Sequence, residues 1–340
     1  LFHALTGYVL VSYLLVPLSF QPLYSFSALN TEVFAGFSLF ICIYAVSRTW
    51  EGAQKLVIFF IILLVLVVSS GYITYFADYA SKTPIWFSSS DHLSPNINKG
   101  LIKIRMHHNI FAWTVNLLLS FSVAYLALIR KEKKVAYLII ALIIILSIFA
   151  VVLSLSRGGW LSLMVISILW VVFFSGRKFA LYKGVCAFFF SFIVLFSVFW
   201  VAVPAFRNRI IETPQTIGTV QDRTQIWART INAIKESPLV GWGYGNKISW
   251  DIQPVMMYKE NEKELIFKLG PHAHNIVLQV LFHQGLAGCF FLWFMITGFL
   301  SVIRALKICN ERLKLFCYAV FCVFVSIFLI HGLIEVTPLC

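Results

Sequence analysis

The run VAYLIIALIIILSIFAVVLSL, residues 135–155, carries no charged side chain. A helix needs about 20 apolar residues to cross a bilayer, and this run supplies them. Backbone inside hydrocarbon must satisfy its own hydrogen bonds, so the run reads as a membrane helix. Comparable runs lie near 4–20, 33–47, 56–76, 110–129, 159–175, 180–204, 276–303 and 313–334. Hydrophobic residues make up 60% of the 340-residue chain and charged residues 12%, with a mean hydropathy of +0.87. That balance excludes a water-soluble domain, which would leave large apolar surfaces in water. The expected fold class is all-α: a polytopic integral membrane protein with about nine transmembrane helices.

The net charge of +13 follows from topology. Arg48 and Lys55 separate the second and third runs, and Arg130, Lys131, Lys133 and Lys134 the fourth and fifth. Arg177, Lys178 and Lys183 follow the sixth run, and Arg304, Lys307, Arg312 and Lys314 the eighth. These are alternate, short loops, and the positive-inside rule makes them cytoplasmic. No nucleic-acid partner is needed to explain the charge. The outward loops are then 21–32, 77–109, the tight turn 156–158, the long polar insert 205–275, and the end after 334. The organisation expected is a membrane part over 1–204 with the outward loop 77–109, a large outer loop over 205–275 containing a helix, and C-terminal membrane helices over 276–340. Leu1 lies inside an apolar run and Cys340 just after another, so both ends read as cut and further spans are expected beyond them. None of the seven cysteines falls in loops 77–109 or 205–275, and no CxxC spacing or disulfide framework is legible.

The insert 205–275 opens with Arg207-Asn208-Arg209 and turns at Pro214 and Gly218. A helix is expected from Asp222, its N-cap, because Ile226, Trp227, Thr230, Ile231 and Ile234 recur at helical spacing. Arg223 would open it and Pro238 would close it. In Gly241-Trp242-Gly243-Tyr244-Gly245, alternating glycines permit tight turns and close backbone approach. Trp242 and Tyr244 suit a membrane interface or a sugar-stacking surface.

Groups able to do chemistry gather on the outer side. Arg157 sits in Ser156-Arg157-Gly158-Gly159 between two apolar runs, where a guanidinium snorkels, pairs or faces a watery cavity. The flanking glycines would let a ligand approach. Arg223, Arg207 and Arg209 are each explicable as solvated arginines. His272 and His274, in Pro271-His272-Ala273-His274-Asn275, stand two apart at the start of the eighth run. A lone His-x-His is weak evidence for metal, and no HExxH or carboxylate cluster accompanies it. One catalytic imidazole is the better reading, and a hydrogen-bonded helix-cap histidine the bland one. Arg105, His107 and His108 repeat the arrangement before the fourth run, and His331 and Glu335 after the ninth. Several arginines converging on one membrane face imply an anion, and guanidinium pairs well with phosphate. A phosphate-bearing lipid whose tail stays in the bilayer fits such a site.

Three segments together carry a resemblance. They are residues 153–161 around Ser156-Arg157-Gly158-Gly159-Trp160, residues 236–246 from Glu236-Ser237-Pro238 to Gly245-Asn246, and Gly270-Pro271-His272-Ala273-His274-Asn275 with the later Gly285-Leu286-Ala287-Gly288. In these and in the order of spans and loops, the chain resembles the O-antigen ligases and polymerases, the ligases most. The resemblance implies transfer of O-antigen polysaccharide from undecaprenyl pyrophosphate to lipid A-core, on the periplasmic face of the bacterial inner membrane. It implies no cofactor, since the family works without metal or nucleotide. It carries the family's functional arginines to Arg157 and Arg223 and its histidine to His274, where relatives read Pro-His-Asn with one histidine. Arg105, His107, His108, His272, Arg207, Arg209, Trp242, Tyr244 and Glu335 are then candidates for binding donor or acceptor. Other readings are an O-antigen polymerase, with a second undecaprenyl-linked glycan as acceptor, and a lipid-linked glycan transporter. A transporter would be expected to carry charges deep within its spans, and here they gather at the edges.

Overall fold

A computed structural model describes residues 2–47, 49–80, 108–129, 134–154, 156–175, 192–194, 196–202, 207, 217–245, 248, 252, 256–260, 263–267 and 273–332. The chain is an all-α polytopic membrane protein, with one small β-hairpin among the described residues. Among the described residues six helical segments are long and apolar enough to cross a bilayer: Pro22–Val46, Trp50–Thr74, Ile110–Ile129, Lys134–Leu153, Arg157–Phe174 and Ile276–Ile308. Large apolar side chains stand exposed along them, Leu138 and Leu142 among them, as lipid contact requires.

In chain order the helices are α1 (Phe2–Leu14), α2 (Pro22–Val46, with a π-helical turn at Leu29–Phe34), α3 (Trp50–Ala80), α4 (His108–Ile129), α5 (Lys134–Leu153), α6 (Arg157–Ser175), α7 (Phe192–Ala202), α8 (Ile217–Glu236), α9 (Ile276–Gln284), α10 (Cys289–Ile308) and α11 (Glu311–Phe324, continued by a π-helical turn Val325–His331). Strands β1 (Met256–Glu260) and β2 (Lys263–Phe267) pair antiparallel. Their register sets Lys259 opposite Glu264 and Glu260 opposite Lys263, residue types that favour facing positions.

Several expectations change. Residues 21–32 are not a loop, because α2 begins at Pro22. Proline suits the first helical turn, where its missing N–H has no partner to lose. The polar residues that look like loop find local partners. The Tyr13 hydroxyl donates to Asn30 Oδ1 (2.6 Å), and Thr31 Oγ1 donates to the carbonyls of Ser27 and Ala28 (3.1 Å each). The first run ends as an α-helix at Leu14 and not at 20, since Pro17 cannot continue the ladder; Val16–Leu18 is a 3₁₀ turn. The span 276–303 is interrupted by a 3₁₀ turn at Gly285–Gly288. The described part of the span 180–204 is the short helix α7. Beyond Ala80, loop 77–109 lies outside the described residues until α4 begins.

The chain folds as two compact units. One comprises Leu1–Ala53, Thr216–Ile308 and Gly332–Cys340; the other comprises Gln54–Gln215 and Cys309–His331. In the second unit α4 is central and packs against α5, α6 and α11. Its residues Ala112, Asn116, Ser120 and Ala124 recur every fourth position, and each is 0% exposed. Lipid is as apolar as leucine, so helices in a membrane associate through close packing, and small residues permit it. Leu64, Val68, Val115, Leu118, Val151 and Leu163 fill the same core. Across it the Tyr72 hydroxyl donates to Leu146 O (2.9 Å), the Tyr318 hydroxyl to Leu169 O (2.7 Å), and the Ser162 and Ser326 hydroxyls hydrogen-bond each other. In the first unit α1 packs on α10, and α8 on α9. Gln284 Nε2 donates to Ser12 Oγ (2.6 Å), joining α9 to α1.

Candidate active site

The turn bearing Arg157 lies in the second unit. Ser156 caps α6, its Oγ accepting from Gly159 N (3.1 Å). Ser154 Oγ donates to Val151 O (2.7 Å) and accepts from Ser156 N (3.3 Å). Trp160 Nε1 donates to the carbonyls of Val151 (3.2 Å) and Val152 (3.0 Å), which α5 leaves unpaired as it ends. Asn116 Nδ2 reaches from α4 to Gly159 O (2.9 Å). Arg157 is thus the first residue of a helix whose start is fixed from three sides, and it is partly exposed. Gly159, two residues after it, has a different use from the one expected. A Cβ on Gly159 would stand 2.5 Å from Ala112 Cβ, so Gly159 lets α6 approach α4 and is not open to a ligand.

The histidine segment lies in the first unit. His274 is the only non-glycine residue with positive φ (48°) among the described residues. Both of its neighbours are tied down. The Ala273 N–H donates to Gln279 Oε1 (2.7 Å), and Ala273 O accepts from Trp227 Nε1 (2.8 Å). Asn275 caps α9, its Oδ1 accepting from Val277 N (3.0 Å) and Leu278 N (3.1 Å). Ala273 and Gln279 are both buried, whereas His274 is partly exposed. The polypeptide around the imidazole is therefore immobilised without burying the imidazole.

Helix α8 delivers Trp227 to this segment. It starts at Ile217, not at Asp222, and takes in Gly218. Arg223 is thus not at the helix start but well inside it. Glu236 ends the helix before Pro238, as expected.

Residues 238–245 form a strap across the far end of α9. Trp242 N donates to Phe282 O (2.9 Å), and Gly243 N to His283 O (3.0 Å). Phe20 N donates to Trp242 O (2.9 Å), and Tyr244 N to Ser25 Oγ (3.1 Å). The alternating glycines permit this: Gly241, Gly243 and Gly245 have φ of 68°, 111° and 112°. Tyr244 is 4% exposed, its ring 4.8 Å from that of His283. Trp242 donates its indole N–H to Ala233 O (2.8 Å) and packs beside Phe282 and Ile248. Tyr244 belongs to the interior of this unit, and the partly exposed Trp242 packs against it.

Of the other expected site residues, Arg207 is exposed. His108 is the first residue of α4, though its side chain, like that of Arg223, lies outside the description. Arg105, His107, Arg209, His272 and Glu335 lie outside the described residues. No three His, Cys, Asp or Glu gather to hold a metal ion among the described residues. Asn116 and Gln279 are not among the residues expected at a site, and Trp227 is expected only as part of the helical pattern of the insert. Asn116 and Gln279 had a signal: each is an amide within an otherwise apolar helix, where an unsatisfied polar group is costly.

Residues 142–294 match the O-antigen ligase family. The chain is 24% identical over 233 residues to the ComP-specific O-oligosaccharyltransferase of Acinetobacter baylyi, a match covering 65% of this chain. It spans 38% of that relative's length. No solved structure matches. The matched region, just under half of the chain, runs from α5 into α10 and includes Arg157, Arg223, Trp227, His274 and Gln279.

Proposed function

We propose that this protein is a metal-independent glycosyltransferase. It moves O-antigen polysaccharide from undecaprenyl pyrophosphate to lipid A-core, at the periplasmic face of the bacterial inner membrane. The observation that carries the reading is the immobilised, partly exposed His274 at the head of an apolar helix, within the region that matches the family. In the reaction a hydroxyl oxygen of the acceptor sugar attacks the anomeric carbon. The bond from that carbon to the pyrophosphate oxygen breaks, and the configuration inverts. The hydroxyl proton passes to the His274 imidazole as general base. The electron pair leaves with the pyrophosphate, whose growing charge Arg157 and Arg223 stabilise. Arg157 at the first position of α6 adds its charge to the positive end of the helix dipole, a favourable place for phosphate.

The acceptor separates this reading from its neighbours. A second undecaprenyl-linked glycan as acceptor would make the protein a polymerase. A protein hydroxyl would make it an O-oligosaccharyltransferase, the activity that names the Acinetobacter relative. Purified protein is incubated with undecaprenyl-pyrophosphate-linked glycan and lipid A-core, and products are resolved by mass. Glycosylated core supports the ligase. A ladder of longer undecaprenyl-linked chains with unmodified core refutes it in favour of the polymerase.

A further inference from the structure

We propose that Gln279, together with Trp227, is a positioning residue for His274: it fixes the strained backbone that aims the imidazole. The proposal rests on the functional reading of His274 given above. A non-glycine residue with φ near +50° is uncommon, and it persists only where its surroundings hold it. At Ala273 the holding is complete, since its N–H and its carbonyl each meet a side chain, from Gln279 and Trp227 respectively.

The amide of Gln279 has one possible orientation. The Ala273 N–H is only a donor, so the atom facing it at 2.7 Å is the carbonyl oxygen. The NH₂ group then faces His283 Nε2 at 2.8 Å, and it can only donate. His283 Nε2 is therefore an acceptor, and its ring carries its proton on Nδ1. Gln279 is 1% exposed and His283 2%, so no water competes for these contacts. The result is a buried relay of hydrogen bonds from His283 through Gln279 to the residue before His274. Gln279 and His283 sit on one helix four residues apart, a spacing that brings side chains onto one face. Trp227 supplies the second hold from α8, the helix that carries Arg223.

Three substitutions separate positioning from packing. Gln279→Met keeps length and volume but removes both hydrogen bonds. Gln279→Glu keeps an acceptor for Ala273 N–H, and His283 can meet its other oxygen with the Nε2–H tautomer. Trp227→Phe keeps a ring but removes the donor to Ala273 O. The first measurement is amide hydrogen exchange over residues 273–277 in the purified full chain. Gln279→Met and Trp227→Phe should exchange about 10-fold faster or more, and Gln279→Glu should match the wild type. The second is the transfer assay above. The first two variants should lose about 10- to 100-fold in kcat, the scale of a misplaced reacting group, with KM within about 3-fold. Gln279→Glu should stay within about 3-fold on both.

Unchanged exchange in Gln279→Met overturns the proposal. So does Gln279→Glu losing as much as Gln279→Met, which would assign the residue to packing alone. Full transfer activity in His274→Ala would overturn the functional reading instead. The exchange experiment reports on the hold independently of that outcome.

Discussion

Replacing Gly159 by alanine tests how the Arg157 turn is held. Helix propensity alone predicts a gain, since glycine inside a helix costs about 1 kcal/mol relative to alanine. The structure predicts a loss. The new Cβ would stand 2.5 Å from Ala112 Cβ, and also 3.1 Å from Ser156 Oγ. Carbon atoms in contact settle at roughly 3.5–4.0 Å, so α6 must retreat from α4 by about 1 Å. Overpacking of this kind costs about 1–3 kcal/mol. The same retreat stretches the 2.9 Å bond from Asn116 Nδ2 to Gly159 O. Asn116 is fully buried, so losing that partner adds about 1–3 kcal/mol. The combined loss of about 2–6 kcal/mol exceeds the propensity gain. Net of that gain about 1–5 kcal/mol is lost, so at roughly 2 °C per kcal/mol thermal unfolding of the detergent-purified protein should come about 2–10 °C earlier. Arg157 shifts with the turn, so transfer should fall as well. The decisive arm is Gly159→Ala combined with Ala112→Gly, which removes the opposing methyl. The pair should be more stable than the sum of the two single effects by at least about 1 kcal/mol. Gly159→Ala at or above wild-type stability, or no rescue by Ala112→Gly, would refute the argument.

Arg157→Ala and His274→Ala should each reduce transfer by at least about 100-fold while the protein stays inserted and abundant, the scale seen when a preorganised donor or base is lost. Full activity of either purified variant would remove that residue from the mechanism. Lys178→Ala, in a loop assigned by charge to the cytoplasmic side, should leave transfer unchanged. Asn275→Ala removes two cap bonds at the head of α9 and should cost about 1 kcal/mol of stability, read as a lower melting temperature. Gly285→Ala should cost more. Its φ is 57° and its Cβ would stand 2.5 Å from Leu239 C, so a backbone segment has to yield, and reduced folded yield in detergent would register it.

The membrane class, most of the spans, the Ser-Arg-Gly turn between α5 and α6, the end of α8 before Pro238, and the conformational need of the three alternating glycines are all legible in the order of residues. Each of these is local. Apolar length, an N-cap serine, a proline stop or a glycine able to take positive φ acts through the backbone within a few residues of itself. What those segments touch is legible only in the folded chain. The polar stretch 21–32 became helix because Tyr13 and nearby carbonyls satisfied it. Gly159 proved to serve Ala112, and Tyr244 to face His283. Gln279 lies five residues from His274 on an apolar helix, and nothing nearby in sequence says that its amide turns back to Ala273 while an indole from α8 takes the other side. Hydrogen-bond partners and packing faces are set by distance in space, and one chain read in order does not contain those distances.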